Sequence, residues 1–320
     1  MKLWFYAFFM AWGMFLALPC PFPRWDEAAR ERMLVMLPLV GAIVGALWAL
    51  AAFAVRALRF PAPVAALVLA ALPWLLTGFI HLDGFSDVSD AILSRRDLPT
   101  RRRILKDPHC GAFGVIGLLL LILAQFCVFL SGAGAIAPAA EGAADSVREG
   151  ALRFGLAASP RFAFLLSLAL IPVSTRACAG LAVLSLRAME TSQYASLSSE
   201  AVPAEEAPAV ELRTEGVEDL SVPVKAKKSG KKTGKKSGGK AERSGRPAHF
   251  AALGVMLAVS VLAPVLLFGL SGLAPAAAGC CYWLCALGAY KNLGGMNGDI
   301  SGFALSLAEL AGACVLVFVK

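Results

Sequence analysis

Stretches of about twenty apolar residues recur along this chain, separated by short polar segments. A helix needs roughly 20 apolar residues to cross a hydrocarbon core about 30 Å thick, and lipid offers no partner to an unpaired backbone group. Repeated runs of this length restrict the fold to an all-α, polytopic membrane protein. Eight segments qualify as spans: 3–19, 33–56, 62–80, 111–133, 161–186, 249–271, 273–290 and 301–319. The first is short and also suits a re-entrant helix. A mean hydropathy of +0.70 and 58% hydrophobic residues agree with this class. Pro172 and Pro264 lie inside spans and predict kinks. The run APAAAG at 274–279 suits close helix contacts. Lys2 and the apolar stretch after it resemble a signal peptide, but Pro19, Pro21 and Pro23 crowd the would-be cleavage site, so the segment is expected to be retained.

The net charge of +8 is concentrated in one place. Residues 225–246 hold ten Lys or Arg against Glu242, so the rest of the chain is near −1. They end a polar interruption, 190–247, which begins acidic with Glu200, Glu205, Glu206 and Glu211 and continues as KAKKSGKKTGKKSGGK. Such a sequence buries too little apolar surface to offset its ordering entropy. It is expected to be a disordered linker between membrane helices 1–189 and 248–320. With no interleaved aromatics for base stacking, its lysines point to anionic lipid rather than nucleic acid. Loop charges set the orientation. With eight spans, loops 20–32, 81–110, 187–248 and 291–300 carry 22 Lys or Arg, and the opposite side carries seven. The 22-charge side is expected to face the cytoplasm. The eight cysteines, including the CC-x3-C group at 280–285, read as small apolar residues on helices, since no histidine lies near that group in sequence.

Chemistry is expected where HLDGFSDVSD, residues 81–90, follows an apolar run. Asp83, Asp87 and Asp90 are spaced i, i+4, i+7, which puts three carboxylates on one helical face. Such a face repels itself and is costly to desolvate near a bilayer. A divalent cation relieves both problems, so these three are candidate metal ligands. His81 abuts them as a ligand or proton carrier. Arg95, Arg96, Arg101, Arg102, Arg103 and Lys106 follow, then Asp107. Carboxylates next to cations suit a metal-bound phosphoanhydride, although positive-inside anchoring also accounts for the arginines. In KDPHCGAFG, residues 106–114, Gly111 and Gly114 open a span and would let a phosphate approach backbone N–H groups; His109 sits between Asp107 and Gly111. GGMNGD at 294–299 makes a turn with Gly294, Gly295, Asn297 and Gly298, and presents Asp299 at the membrane edge. Glu309 lies about 15 Å further along that helix, and Arg176 lies inside another span. A buried arginine needs a carboxylate or a substrate phosphate as its partner.

HLDGFSDVSDA, KDPHCGAFG and GGMNGDISG, in this order, resemble the signatures of the cobalamin synthase family, adenosylcobinamide-GDP ribazoletransferases, whose usual forms are close to HLDGLADTxDG, KDSRxGxFG and GGxTGDxxGA. MLPLVGAIVG at 36–45 and Ser174-Thr175-Arg176 also look like family segments. Phe85, Ser86, Val88, Ala91, His109, Asn297 and Ser306 depart from the family pattern, every aspartate is kept, and the long charged linker has no counterpart in it. The resemblance implies a Mg²⁺-dependent transfer of the adenosylcobinamide phosphate group from adenosylcobinamide-GDP to α-ribazole or its 5′-phosphate. GMP is released in this final assembly of adenosylcobalamin. It implies a bacterial or archaeal plasma-membrane enzyme, catalytic aspartates 83, 87, 90 and 299 with His81, and substrate contacts from Lys106, Asp107, His109, Gly111, Arg176, Gly294, Gly295, Asn297, Gly298 and Glu309. Oligomeric state stays open, a homo-oligomer included. The competing readings are a CDP-alcohol phosphotransferase, whose usual pattern lacks a match after Asp83-Gly84, and a cation- or proton-coupled transporter, which calls for acids at the bilayer midplane.

Overall fold

The structure, a computed structural model, describes residues 2–132, 160–189 and 241–319. Among these residues no strand forms, and a single isolated bridge pairs Ala188 with Met296. The helices are α1 (Lys2–Phe15), α2 (Arg30–Val35), α3 (Leu37–Ala57), α4 (Ala62–Leu76), α5 (Ile80–Leu93), α6 (Leu98–Ile104), α7 (Ala112–Ser131), α8 (Pro160–Ser185), α9 (Ala241–Phe268), α10 (Ala274–Leu293) and α11 (Gly298–Phe318). Most of the 190–247 linker lies outside the described residues, but α9 begins at Ala241, inside the segment assigned to it.

Five of the eight expected spans recur as spanning helices among the described residues, and a sixth recurs as a bent pair. Five helices among the described residues are long and apolar enough to cross a membrane: α3, α7, α11, Arg161–Ser185 of α8, and Pro247–Gly272, which covers most of α9. A sixth arises if α4 and α5 are taken as one broken span. Segment 3–19 forms only the 14-residue α1, about 21 Å long and too short for a crossing. Segment 62–80 stops at Leu76 because Gly78 and Phe79 both take left-handed backbone, φ 61° and 63°, and the chain turns through 89°. Segment 273–290 is helical as α10, but its small residues and the Lys291-Asn292 end leave it less apolar than a span. Pro172 and Pro264 sit inside continuous helices.

Small residues set how closely the helices approach. Gly41 and Gly45, one turn apart on α3, face the Pro172 and Ala169 carbonyls of α8 so tightly that neither has room for a Cβ. This is small-xxx-small packing. The APAAAG run is spent inside the chain: Ala274, Ala278 and Gly279 are buried, and the Ser174 hydroxyl donates to the Pro275 carbonyl at 2.8 Å. The C-terminal helices therefore pack directly on the N-terminal ones. α11 lies against α5, where a Cβ at Gly84 would sit 2.8 Å from the Asp299 carbonyl oxygen and one at Gly302 would sit 3.2 Å from the His81 backbone.

Gly45→Ala should lower the thermal midpoint of the detergent-purified protein by the equivalent of about 1–3 kcal/mol, because the added methyl meets backbone that cannot swing aside. Gly254→Ala and Gly288→Ala meet open space and should be neutral or stabilising by up to about 1 kcal/mol. Equal midpoints for all three variants would refute this account of the α3–α8 contact.

Candidate active site

The turn at Gly78-Phe79 starts α5 in a new direction and brings His81, Asp83, Asp87 and Asp90 against α7 and α11. Gly78 tolerates positive φ, whereas a phenylalanine there is unusual and costs strain. Down the aspartate face Asp83 is exposed, Asp87 is half-buried and Asp90 is buried. Asp87 is within electrostatic reach of Asp83, Asp299 and Asp90.

Asp90 is bound to the start of α7. Its two carboxylate oxygens accept the Gly111 N–H at 2.7 Å and the Gly114 N–H at 2.9 Å. Both donors lie at the start of α7, where backbone N–H groups have no helical partner and the helix dipole favours an anion. A Cβ at Gly111 or Gly114 would collide with this carboxylate. The glycines expected to admit a phosphate admit Asp90 instead, and Gly111 has already spent its N–H on it. The charge-assisted pair fastens α5 to α7.

GGMNGD is held from several sides. Gly294 ends α10 in left-handed backbone with φ 71°. Arg102 donates to the Leu293 and Gly294 carbonyls at 2.9 and 3.0 Å, and Arg101 donates to the Asn292 side chain at 3.0 Å. These two arginines neutralise the negative end of α10. Gly295 lies against Met189 with no space for a side chain, and Met296 exchanges backbone hydrogen bonds with the chain at Arg187 and Met189. Asn297 caps α11: its Oδ1 accepts the Ile300 N–H at 2.9 Å, and its Nδ2 donates to the Asp299 carboxylate at 2.6 Å. Asn297 thus aims Asp299.

Both motifs meet at one cavity of about 120 Å³. His81 and Asp83 line it from α5, Gly298 and Asp299 from α11, and Arg176 from α8. Met14 and Phe15 at the end of α1 also line it. Below it, Arg176 pairs with Glu309 at 2.5 Å, and both side chains are about 97% buried. The two charged groups expected to need partners find each other. Among the described residues, the buried Arg176 Nη2 and His81 Nε2 nevertheless find no hydrogen-bond partner.

The remaining expected residues lie elsewhere. Lys106 and Asp107 line a separate open groove with Arg102 and Arg103. His109 is exposed and turns back on Asp107, its backbone N–H at 3.0 Å and its ring Nδ1 at 2.7 Å from the Asp107 carboxylate. These bonds hold the Asp107 carboxyl below the usual carboxylate range. Among the described residues no group of three or more His, Cys, Asp or Glu side chains forms a ready-made metal cage. Sequence reasoning did not identify the Ser306 hydroxyl, which donates to the His81 carbonyl at 3.3 Å, or the Tyr282–Ser301 hydroxyl pair at 3.1 Å. Spacing carries no signal for such contacts between distant elements.

Asp90→Asn should lower stability by about 1–3 kcal/mol, because an amide nitrogen cannot accept the second α7 N–H. Removing Arg176 or Glu309 alone should cost more, about 3–5 kcal/mol, while replacing both with apolar residues should restore most of the loss. Thermal unfolding in detergent measures each. A fully stable Glu309→Leu protein would contradict the ion-pair assignment.

The family described as cobalamin-5-phosphate synthase matches residues 7–212 and 221–317. Adenosylcobinamide-GDP ribazoletransferases are among the relatives. That of Clostridium perfringens is 46% identical over 126 residues, 39% of this chain and 50% of the relative. That of Clostridium botulinum is 40% identical over the same length and coverage. That of Geotalea daltonii is 38% identical over 120 residues, 37% of this chain and 48% of the relative. The chain spans about half the length of the curated relatives it matches. No solved structure matches it. With nearly the whole chain matched and both ends of the match meeting at one cavity, this protein belongs to the cobalamin-5-phosphate synthase family.

Proposed function

We propose that the chain transfers the adenosylcobinamide phosphate group from adenosylcobinamide-GDP to α-ribazole or its 5′-phosphate, releasing GMP. The observation that carries this reading is the meeting of Asp83 and Asp299 at one cavity although roughly two hundred residues separate them. An acceptor ribose hydroxyl gives its proton to a cavity base, Asp83 or His81, and attacks the cobinamide-bound phosphorus while GMP leaves. Positioning and charge neutralisation supply most of the acceleration in such a displacement.

Mg²⁺ fits the donor set. It keeps several waters and takes one or two carboxylates together with substrate phosphates rather than a protein cage. Asp83 and Asp299 offer two hard oxygen donors at one cavity, and Asp87 lies within electrostatic reach of both. These residues would hold the ion, which would neutralise the phosphoanhydride and the departing GMP. Asp90, the fourth expected ligand, is not among the residues lining this cavity, and each of its oxygens already accepts one α7 N–H. Lys106 and Asp107 belong to a groove, with His109 bound to Asp107 beside it, that suits the outer phosphates of the donor rather than the reacting centre.

The protein resides in the plasma membrane of a bacterium or archaeon, with loops 81–110 and 291–300 on the cytoplasmic side. Contact of Arg101 and Arg102 with the end of α10 supports a common side for the two loops. The α1 segment and α10 complete eight membrane-embedded segments in this reading, and the lysines of 225–246 meet anionic lipid. Neither competing reading is favoured. A transporter calls for free acids at depth, whereas the deep carboxylate, Glu309, is tied to Arg176 and Asp83 is exposed.

Purified protein in detergent, supplied with adenosylcobinamide-GDP, α-ribazole and Mg²⁺, should release GMP, and a chelator should stop the release. Asp83→Asn and Asp299→Asn should each lower turnover about 100-fold or more, the scale of roughly 3 kcal/mol in barrier, with little change in thermal stability. Near-normal turnover in both variants would remove the mechanistic support for this function.

A further inference from the structure

The chain that leaves α1 doubles back along it. The Cys20 thiol reaches the Phe9 carbonyl at 3.5 Å, and the Phe22 ring lies 5.4 Å from the Phe5 ring. The Arg24 guanidinium is 5.1 Å from the Tyr6 ring centre, and that of Arg32 is 5.8 Å from the Trp4 ring centre. A crossing helix would leave Trp4 and Arg32 on opposite faces, about 30 Å apart. Both ends of α1 also touch one end of the bundle. α3 and α8 run antiparallel, because Gly41 meets Pro172 and Gly45 meets Ala169, so α3 starts where α8 ends. α11 starts there too, since Met296 bonds to Arg187 and Met189. So does the span in α9, whose Leu253 meets Gly180 of α8 beside Leu34. Trp4 packs edge-on against His249 at the start of that span, with 6.1 Å between ring centres. Phe15, at the other end of α1, shares the cavity with Leu37 and Gly298, the first residues of α3 and α11. α1 thus lies across the span ends rather than among the spans.

Its outward side fits one environment. Ala7, Met10 and Ala11 are buried against the bundle, while Trp4, Phe5, Phe22 and Trp25 are exposed, the last two by more than half. The rings of Phe5, Phe9 and Phe22 touch one another, and a contiguous aromatic patch of this kind is unfavourable against water. Two of the three acids beside it are satisfied within the chain: Asp26 accepts the Ala28 N–H, and Glu27 binds Trp25 and Arg30. Arg24 and Arg32 make no ion pair among the described residues. Aromatic rings beside cations that lack carboxylates match the boundary layer of a bilayer, with acyl chains on one side and phosphates on the other. We infer that residues 2–32 form an interfacial hairpin that docks on the lipid headgroup layer through Trp4, Phe22, Arg24, Trp25 and Arg32 and does not cross the membrane. Lys2 then lies on the same side as the end of α8, whereas eight crossings would put it on the other. The hairpin also supplies Met14 and Phe15 to the cavity, so lipid seats one wall of the site.

Two measurements on the full chain test this, and neither depends on the reaction proposed above. In sealed membrane vesicles, recognition sites for an impermeant protease are placed ahead of Lys2 and within 225–240, the segment that follows α8. Both sites should be cut from the same face, and cutting from opposite faces would overturn the hairpin. The lipid contact is read in liposomes from the tryptophan emission that Trp25→Phe removes, with lipids brominated either near the headgroup or near the end of the acyl chain. Shallow bromine should quench this emission at least about twofold more than deep bromine, as for a side chain at the headgroup–acyl boundary. Stronger quenching by deep bromine would place Trp25 in the acyl core, and no quenching by either would place it in water; each result overturns the lipid contact. An unchanged thermal midpoint reports that Trp25→Phe is folded, and if it is not, the same reading with Trp4→Phe decides.

Discussion

The Arg176–Glu309 pair is the interaction around which the rest of the molecule is arranged. Two opposite charges are almost completely buried in helices that would cross a bilayer. Either one alone would carry a desolvation penalty of several kcal/mol. Their attraction offsets that only while α8 and α11 stay in register. Other contacts are subordinate to that register. Gly41 lacks a side chain where the Arg176 stem and the Pro172 carbonyl pass. Gly312 and Gly279 admit Ile171 and Ser174 of α8 at close range. A buried ion pair contributes little net stability compared with a well-packed apolar substitute. Here it fixes which faces of α8 and α11 meet, and so where the cavity forms.

Two further charge-to-backbone contacts carry that register outward to the surface loops. Asp90 occupies the free N–H groups at the start of α7, and Arg101 and Arg102 occupy the end of α10. In both cases a side chain satisfies a helix terminus that lipid could not. The aspartate-rich helix is thereby held to α7 on one side. Through α6 it is also held to the turn that begins α11. Asp83 and Asp299 can remain close, despite their mutual repulsion, because the elements carrying them are tied by groups other than themselves.

Residues of one motif therefore divide between building the site and serving it. Asp83 is exposed, and Asp90, two turns away, is buried and accepts two α7 N–H groups. Asn297 caps a helix and steers Asp299 with the same amide group. The His81 backbone sits against α11 through Gly302 and Ser306, and the residue also lines the cavity. Loss of activity on changing any one of these residues would not by itself reveal which job it does; stability and substrate affinity have to be read together.

The sequence alone determined the all-helical membrane class, because apolar runs of this length leave the backbone no other way to satisfy its polar groups. It also singled out the ordered motifs around Asp83 and Asp299 as candidates for chemistry, since carboxylates beside a bilayer are costly to keep. Only the tertiary structure decided the rest. A break at Gly78-Phe79 is invisible to hydropathy, which counts apolar residues and not backbone angles, so 62–80 looked like a straight span. Helical periodicity put Asp83, Asp87 and Asp90 on one face, but which of them would be spent on a neighbouring helix depended on where α7 begins in space. The joining of Arg176 to Glu309, 133 residues apart, and of Arg102 to Gly294, 192 apart, likewise left no trace in local spacing. Periodicity describes one helix at a time, and partner choice is made where helices meet.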